Sequence, residues 1–171
     1  MAESETYDPG DWIVHAHYGV GRIEGVETKN ISGEDTRYYR VNTSQSTFWV
    51  PVDQMDSELI RPLSSADDIE DVIAILQEPA QVMSSNAKVR QSRIHNVRIS
   101  NEPVDIARLI RDLKARQRDK GILYATERSA FIALKEQLVQ EWAIVTDSKR
   151  EAVSVEIDGL LEHSRIPEKK Q

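Results

Sequence analysis

Between Asp11 and Leu63, apolar and polar residues alternate in short runs; beyond Leu63, apolar residues recur every three or four positions. These periods of two and about 3.6 predict a β-rich half followed by a helical half. In the first half, Trp12, Val14 and Ala16 point one way, and Ile13, His15 and His17 the other. Gly19-Val20-Gly21 interrupts the run and reads as a tight turn between strands, after which Arg22–Glu27 resumes with period two. Ser32-Gly33 within Asn30–Asp35 is a hairpin signal. Strands follow at Arg37–Val41 and Thr47–Val52, with Pro51 marking an edge strand or a strand end, and a last short one at Leu59–Leu63. Four or five strands in about fifty residues predict a small, strongly bent antiparallel barrel. Phe48 and Trp49 are adjacent, so one of them faces outward, and the pattern leaves open which.

The second half opens on Ser65, with Asp68 three residues later, spaced as a capping box. Ile69, Val72, Ile73 and Leu76 then form one helix face, ending before Pro79. A second helix is expected from about Ser85 to Ile99 with Ala87, Ile94 and Val97 inward. A third starts near Pro103, buries Ile106, Leu109, Ile110 and Leu113, and ends at Gly121. A fourth spans about Thr126 to Val145 and buries Ala130, Phe131, Leu134, Leu138 and Trp142. A fifth runs from Ser148 to His163, and residues 167–171 are expected to fray. The class is α+β, with one domain over residues 1–63 and a helical domain of about five helices over residues 64–171.

The 171 residues include no cysteine, which removes disulfides and thiolate metal sites and suits a reducing cytoplasm. No apolar run approaches the roughly 18 residues of a membrane span, and the acidic N-terminus is unlike a signal peptide. The net charge of −7 argues against non-specific coating of nucleic acid. The mean conceals an asymmetry, because residues 86–120 hold ten Lys and Arg against four Asp and Glu. A local excess of cations favours phosphate contact over a merely solvated helix face.

Other candidate chemistry is thin. His15 and His17 could share a strand face, but zinc needs three or four ligands, and His95 and His163 lie in the other half. Gly19-Val20-Gly21 lacks the third glycine of a dinucleotide fingerprint, and no helix follows it. No nucleophile elbow, Walker loop or metalloprotease helix is present. The reading is therefore a non-enzymatic protein with no catalytic residues, metal or cofactor.

Gly10–Gly21 (GDWIVHAHYGVG), the hairpin Glu27–Glu34 and the strand ending Val50-Pro51-Val52-Asp53 together resemble the CarD family of bacterial transcription regulators. They also resemble the polymerase-interacting domain of transcription-repair coupling factors. In the helical half, the resemblance continues through Val104–Leu113, Arg116, Gly121, Glu127-Arg128 and Leu138–Ala143. It implies a Tudor-like barrel that grips the β subunit of RNA polymerase. It also implies a helical domain that meets promoter DNA at the upstream fork of the transcription bubble and modulates open-complex stability.

By the same resemblance, Lys29 and Trp49 are the polymerase-binding positions, with Trp49 standing where a cation is usual; with their neighbours Asn30 and Thr47 they are expected to form the polymerase-binding face. Asn86, Lys88, Arg90, Arg116 and Arg128 are the expected DNA contacts. Ala87 occupies the position of the family's wedging tryptophan, and alanine cannot fill an unstacked base step. The expected place of action is the cytoplasmic, nucleoid-associated transcription machinery, with no membrane and no small-molecule substrate. An adaptor that binds polymerase or another protein without engaging DNA is the alternative.

Overall fold

The computed structural model describes residues 7–163, which form two compact units divided between Leu63 and Ser64. The first is a five-stranded antiparallel sheet of β1 (Trp12–His15), β2 (Gly19–Ile31), β3 (Glu34–Asn42), β4 (Thr47–Pro51) and β5 (Ile60–Pro62). The strands lie in the order β4-β3-β2-β1-β5, with a short 3-10 helix over Val52–Gln54 between β4 and β5. Ile13, Ile23, Tyr39, Val41, Phe48, Val50, Met55 and Ile60 form one core that draws on all five strands. A single sheet gathers such a cluster only by curling. Among the described residues its outer strands β4 and β5 do not pair, so the expected barrel is an open, barrel-like sheet.

Ser32 and Gly33 both have positive φ (64° and 89°), giving the turn whose twist matches a two-residue hairpin between β2 and β3. Pro51 closes the edge strand β4, where its missing N–H costs no ladder bond. Phe48 is buried and Trp49 is 41% exposed, so the question left by the pattern is decided in favour of an outward Trp49.

Three expectations for this half are corrected. β1 ends at His15, and His17 lies in the following turn; His15 is buried while His17 is exposed. The two histidines therefore do not share a strand face. Only Gly19 (φ 76°) has a turn conformation; Gly21 lies inside β2, where a Cβ would stand 2.5 Å from Val41 Cγ1. Gly21 is thus required for close approach of strands. Finally, the register shifts between Ile23 and Gly25, so period two does not run unbroken through Arg22–Glu27. This bulge keeps Ile23 inward and turns Gly25, Glu27 and Lys29 to the outer face beside Thr36, Tyr38 and Arg40.

The second unit holds α1 (Ala66–Gln77), α2 (Ala87–Ser100), α3 (Pro103–Lys120), α4 (Ala125–Val145) and α5 (Arg150–His163). The Ser65–Asp68 capping box opens α1 as expected, and Gly121 ends α3 in the left-handed conformation. Their core includes Ile69, Leu76, Ile94, Leu109, Leu113, Leu138, Trp142 and Ile157. On α1, Ile75 is buried and Ile73 only half-buried. Ala87, expected inward, is exposed as the first residue of α2, where no preceding turn covers it. Residues 167–171 lie outside those described.

Candidate functional site

Two surfaces carry the candidate residues, one on each unit. On the sheet, β3 runs between β2 and β4, so side chains from the three strands meet across its outer face. Lys29 extends from β2 until its ammonium lies 3.4 Å from the centre of the Trp49 ring on β4. Trp49 Nε1 donates to Glu27 Oε2 at 2.9 Å. The other oxygen of Glu27 accepts from Arg40 Nη1 at 3.0 Å, and Arg40 Nη2 reaches Glu24 at 2.9 Å. Asn42 continues the chain, donating to Glu24 and accepting from the Thr47 hydroxyl.

An exposed indole is thereby held on its face by a cation and at its edge by a carboxylate. Such an aromatic loses little rotamer freedom when a partner closes over it. Lys29, Thr47 and Trp49 share this outer face, whereas Asn30 alternates away from it and donates to Asp35 at 2.8 Å across the hairpin. Glu27, Arg40, Glu24 and Asn42 are the members that sequence reading missed. The outward phase of Glu27 depends on the bulge after Ile23, which strict alternation conceals.

On the opposite face of β4, Phe48 joins a second aromatic group. Tyr18 stacks on it at 4.4 Å between centroids, and the His15 ring lies 5.5 Å away. His15 Nδ1 accepts the backbone N–H of His17 at 3.0 Å and of Tyr18 at 3.4 Å, which ties the β1–β2 turn together. Burial, with a smaller contribution from nearby His17, lowers the His15 pKa to about 4. The His15 ring is therefore neutral at neutral pH. Among the described residues no three His, Asp or Glu side chains converge as metal ligands.

In the helical unit, four cations of the cation-rich stretch, Arg90, Arg93, Arg111 and Arg116, are drawn into ion-pair networks of the fold. Arg90 is 2% exposed: its Nε pairs with Glu127, and its Nη1 donates to the carbonyls of Ser84 (2.8 Å) and Ser85 (2.9 Å). Arg116 Nε reaches the same Glu127 oxygen at 3.2 Å, and the Tyr124 ring lies within 6 Å of both guanidiniums. Burial alone would raise the Glu127 pKa, but the Tyr124 N–H and the two arginines hold it below the usual value. A second network centres on buried Asp112, which accepts from Arg93 (2.7 Å), Arg111 (3.0 Å) and the Gln81 N–H (2.9 Å).

Arg90, expected to contact DNA, is sealed in this geometry, with its guanidinium engaged by Glu127 and two carbonyls. Arg116 is largely covered by the same network, its side chain only 14% exposed. Asn86 is the N-cap of α2 and accepts the Lys88 N–H at 2.9 Å. Lys88 and Arg128 project into solvent with no side-chain partner among the described residues. Patterning could not separate these two groups, because it registers charge and not the carboxylate that folding brings beside it.

An open, curled antiparallel sheet presenting a braced aromatic, joined to a five-helix unit with cations at the start of α2 and α4, defines a two-part interaction protein. Residues 7–64 match the CarD-like/TRCF RID domain, and residues 71–158 match the CarD C-terminal domain. The chain belongs to the CarD family.

Among its relatives, YdeB of Bacillus subtilis (strain 168), a proposed transcription factor, is 28% identical over 139 residues, covering 80% of this chain and 90% of YdeB. The transcription-repair-coupling factor of Staphylococcus epidermidis (strain ATCC 35984) is 46% identical over 48 residues. So is that of Staphylococcus aureus (strain USA300). Each of those alignments covers 28% of this chain and 4% of the coupling factor. Among the described residues no helix is long and apolar enough to cross a membrane.

Proposed function

We propose that this protein is a transcription regulator whose sheet unit docks on the β subunit of RNA polymerase and whose helical unit meets promoter DNA at the upstream edge of the bubble. The single observation that carries the reading is the braced Trp49, set between Lys29 and Glu27 on the outer face of the unit that matches the RID domain. Lys29, Thr47 and Trp49 form the polymerase contact, and Asn30 joins from the hairpin tip. Lys88 and Arg128 hold DNA phosphates, with Asn86 fixing the start of α2 and Arg116 at the margin. With Ala87 exposed where a wedge would stand, the DNA contact is electrostatic and sensitive to salt.

The burial of Arg90 favours a second reading, an adaptor that binds polymerase and leaves DNA alone. The test is a pair of measurements on the full chain. The first is binding to an immobilised polymerase β fragment. The second is fluorescence anisotropy with forked promoter DNA at two salt concentrations. Regulation at the bubble requires both; polymerase binding alone supports the adaptor; loss of neither contact on Trp49→Ala and Lys88→Ala would overturn the site assignments.

A further inference from the structure

The chain has little freedom where its two units join. β5 ends at Pro62, whose ring fixes its own φ, and the second unit begins at Ser64. Leu63 alone lies between them. Ser64 is held on arrival: its N–H and its hydroxyl both donate to Glu141 Oε1, at 2.9 and 2.6 Å. The N–H of Ser65 donates to Asp68 Oδ2 at 2.8 Å, within the capping box that opens α1. Two successive backbone N–H groups are thus each bonded to a carboxylate, one from α4 and one from α1.

Glu141 is 1% exposed and stands among the buried residues of α4. An apolar residue would fill such a place without the desolvation cost of a carboxylate. What the carboxylate adds is a grip on a residue 77 positions earlier, the first of the unit. Along α4, Glu141 stands roughly 20 Å from Arg128, with one uninterrupted helix between them. The helix that holds the junction is therefore the helix that carries one of the proposed phosphate contacts.

We propose that Glu141 and Ser64 are positioning residues, a clasp that fixes how the chain enters the helical unit once the sheet unit has docked on polymerase. Fixed entry keeps Lys88 and Arg128 close to the promoter, because the second contact of a tethered pair is intramolecular and gains in effective concentration. A slack junction spreads the helical unit over more orientations and dilutes that contact. Neither residue of the clasp meets polymerase or DNA, so each contact measured alone is independent of it. The proposal rests on the two-contact reading of the proposed function and adds the means by which the contacts are coupled.

The experiment measures three affinities of the full chain: for a polymerase β fragment, for a fluorescent forked promoter duplex, and for the assembled polymerase–promoter complex. Unmodified protein is compared with Ser64→Ala, Ser64→Thr and a variant with Gly-Ser-Gly inserted after Leu63. The insertion slackens the junction and leaves the Ser64–Glu141 pair intact, so it separates slackness from any loss of stability. Ser64→Ala should weaken binding to the assembled complex about threefold and the insertion about tenfold, with both separate affinities unchanged. Ser64→Thr keeps the hydroxyl and should restore most of the loss. Hydrogen exchange of the peptide spanning residues 60–68 should quicken in Ser64→Ala.

If Ser64→Ala and the insertion bind the assembled complex as the unmodified chain does, the clasp proposal is overturned and the two-contact reading stands. If the three affinities fall together, Ser64 acts on the fold alone and the clasp proposal is overturned. If the unmodified chain lacks either separate contact, the two-contact reading is overturned and the clasp with it.

Discussion

The Lys29 ammonium rests 3.4 Å from the centre of the Trp49 ring, across two strand pairings and twenty residues of chain. The contact joins the residue that the family resemblance makes a polymerase-binding cation to the aromatic that replaces a second one. It turns two candidates into one unit. Trp49→Ala should lower affinity for a polymerase β fragment by about 2 kcal/mol or more, since buried aromatic anchors dominate interface energies. Because Trp49 is 41% exposed in the free chain, stability should fall by less than about 1 kcal/mol. Biolayer interferometry and urea denaturation separate the two effects. An affinity loss with stability intact assigns Trp49 to the interface, and an equal loss in both would refute that role.

The buried triad Arg90–Glu127–Arg116 predicts a different behaviour. Replacing Glu127 by Gln leaves Arg90 without its counter-charge at a site 2% exposed, which should cost about 3–5 kcal/mol in urea denaturation. Arg90→Ala should also destabilise the unit, though less, because Arg116 and the Tyr124 N–H still hold the buried carboxylate. Any loss of DNA binding in Arg90→Ala should therefore accompany a loss of helical structure by circular dichroism. A well-folded Arg90→Ala variant with a specific DNA defect would contradict the assignment of Arg90 to the fold.

His15 predicts a pH dependence with a definite sign. Its folded pKa of about 4 lies below the ordinary value of 6.5, so the unfolded chain binds the extra proton first as pH falls. Its contribution is fully present above about pH 6.5 and is lost as pH falls through the window to about 4. The loss is on the order of 3 kcal/mol. His15→Asn keeps an acceptor near Nδ1 for the two turn N–H groups and removes the proton. It should flatten the unfolding free energy against pH over that window, and an unchanged profile would sink the assignment.

Gly21 faces Val41 Cγ1 at 2.5 Å and the Asn42 carbonyl oxygen at 3.3 Å from an added Cβ. Gly21→Ala should destabilise the sheet unit by about 1–3 kcal/mol through overpacking. Gly25→Ala, whose Cβ meets nothing within 4 Å, is the matched control. Thermal denaturation of the pair measures the difference, and equal midpoints would rule out close packing as the reason for Gly21.

Most elements were legible because their signals are local. The Ser65–Asp68 box, Pro103 at the start of α3, Gly121 at its end and Ser32-Gly33 in the hairpin each act within a few residues. The bulge after Ile23 was not legible, because an added residue in one strand shows itself only against the strand beside it. For the same reason Gly21 passed for a turn residue. The candidate site divides likewise: Trp49 and Lys29 could be named from the chain, whereas Glu27 and Arg40, which hold Trp49 in place, could not.

The order of residues by itself determines the two halves, their periods, the helix caps and the presence of an outward aromatic at Phe48-Trp49. These depend on backbone preference and side-chain alternation, which neighbouring residues dictate. Only the tertiary structure decided which charges face solvent. Ten cations in residues 86–120 look equivalent in the chain, yet Glu127 and Asp112 withdraw Arg90, Arg93, Arg111 and Arg116 into the fold and leave Lys88 and Arg98 outside. The physical reason is desolvation. A charge enters the interior only where folding supplies an opposite charge and hydrogen bonds, and those partners come from distant parts of the chain.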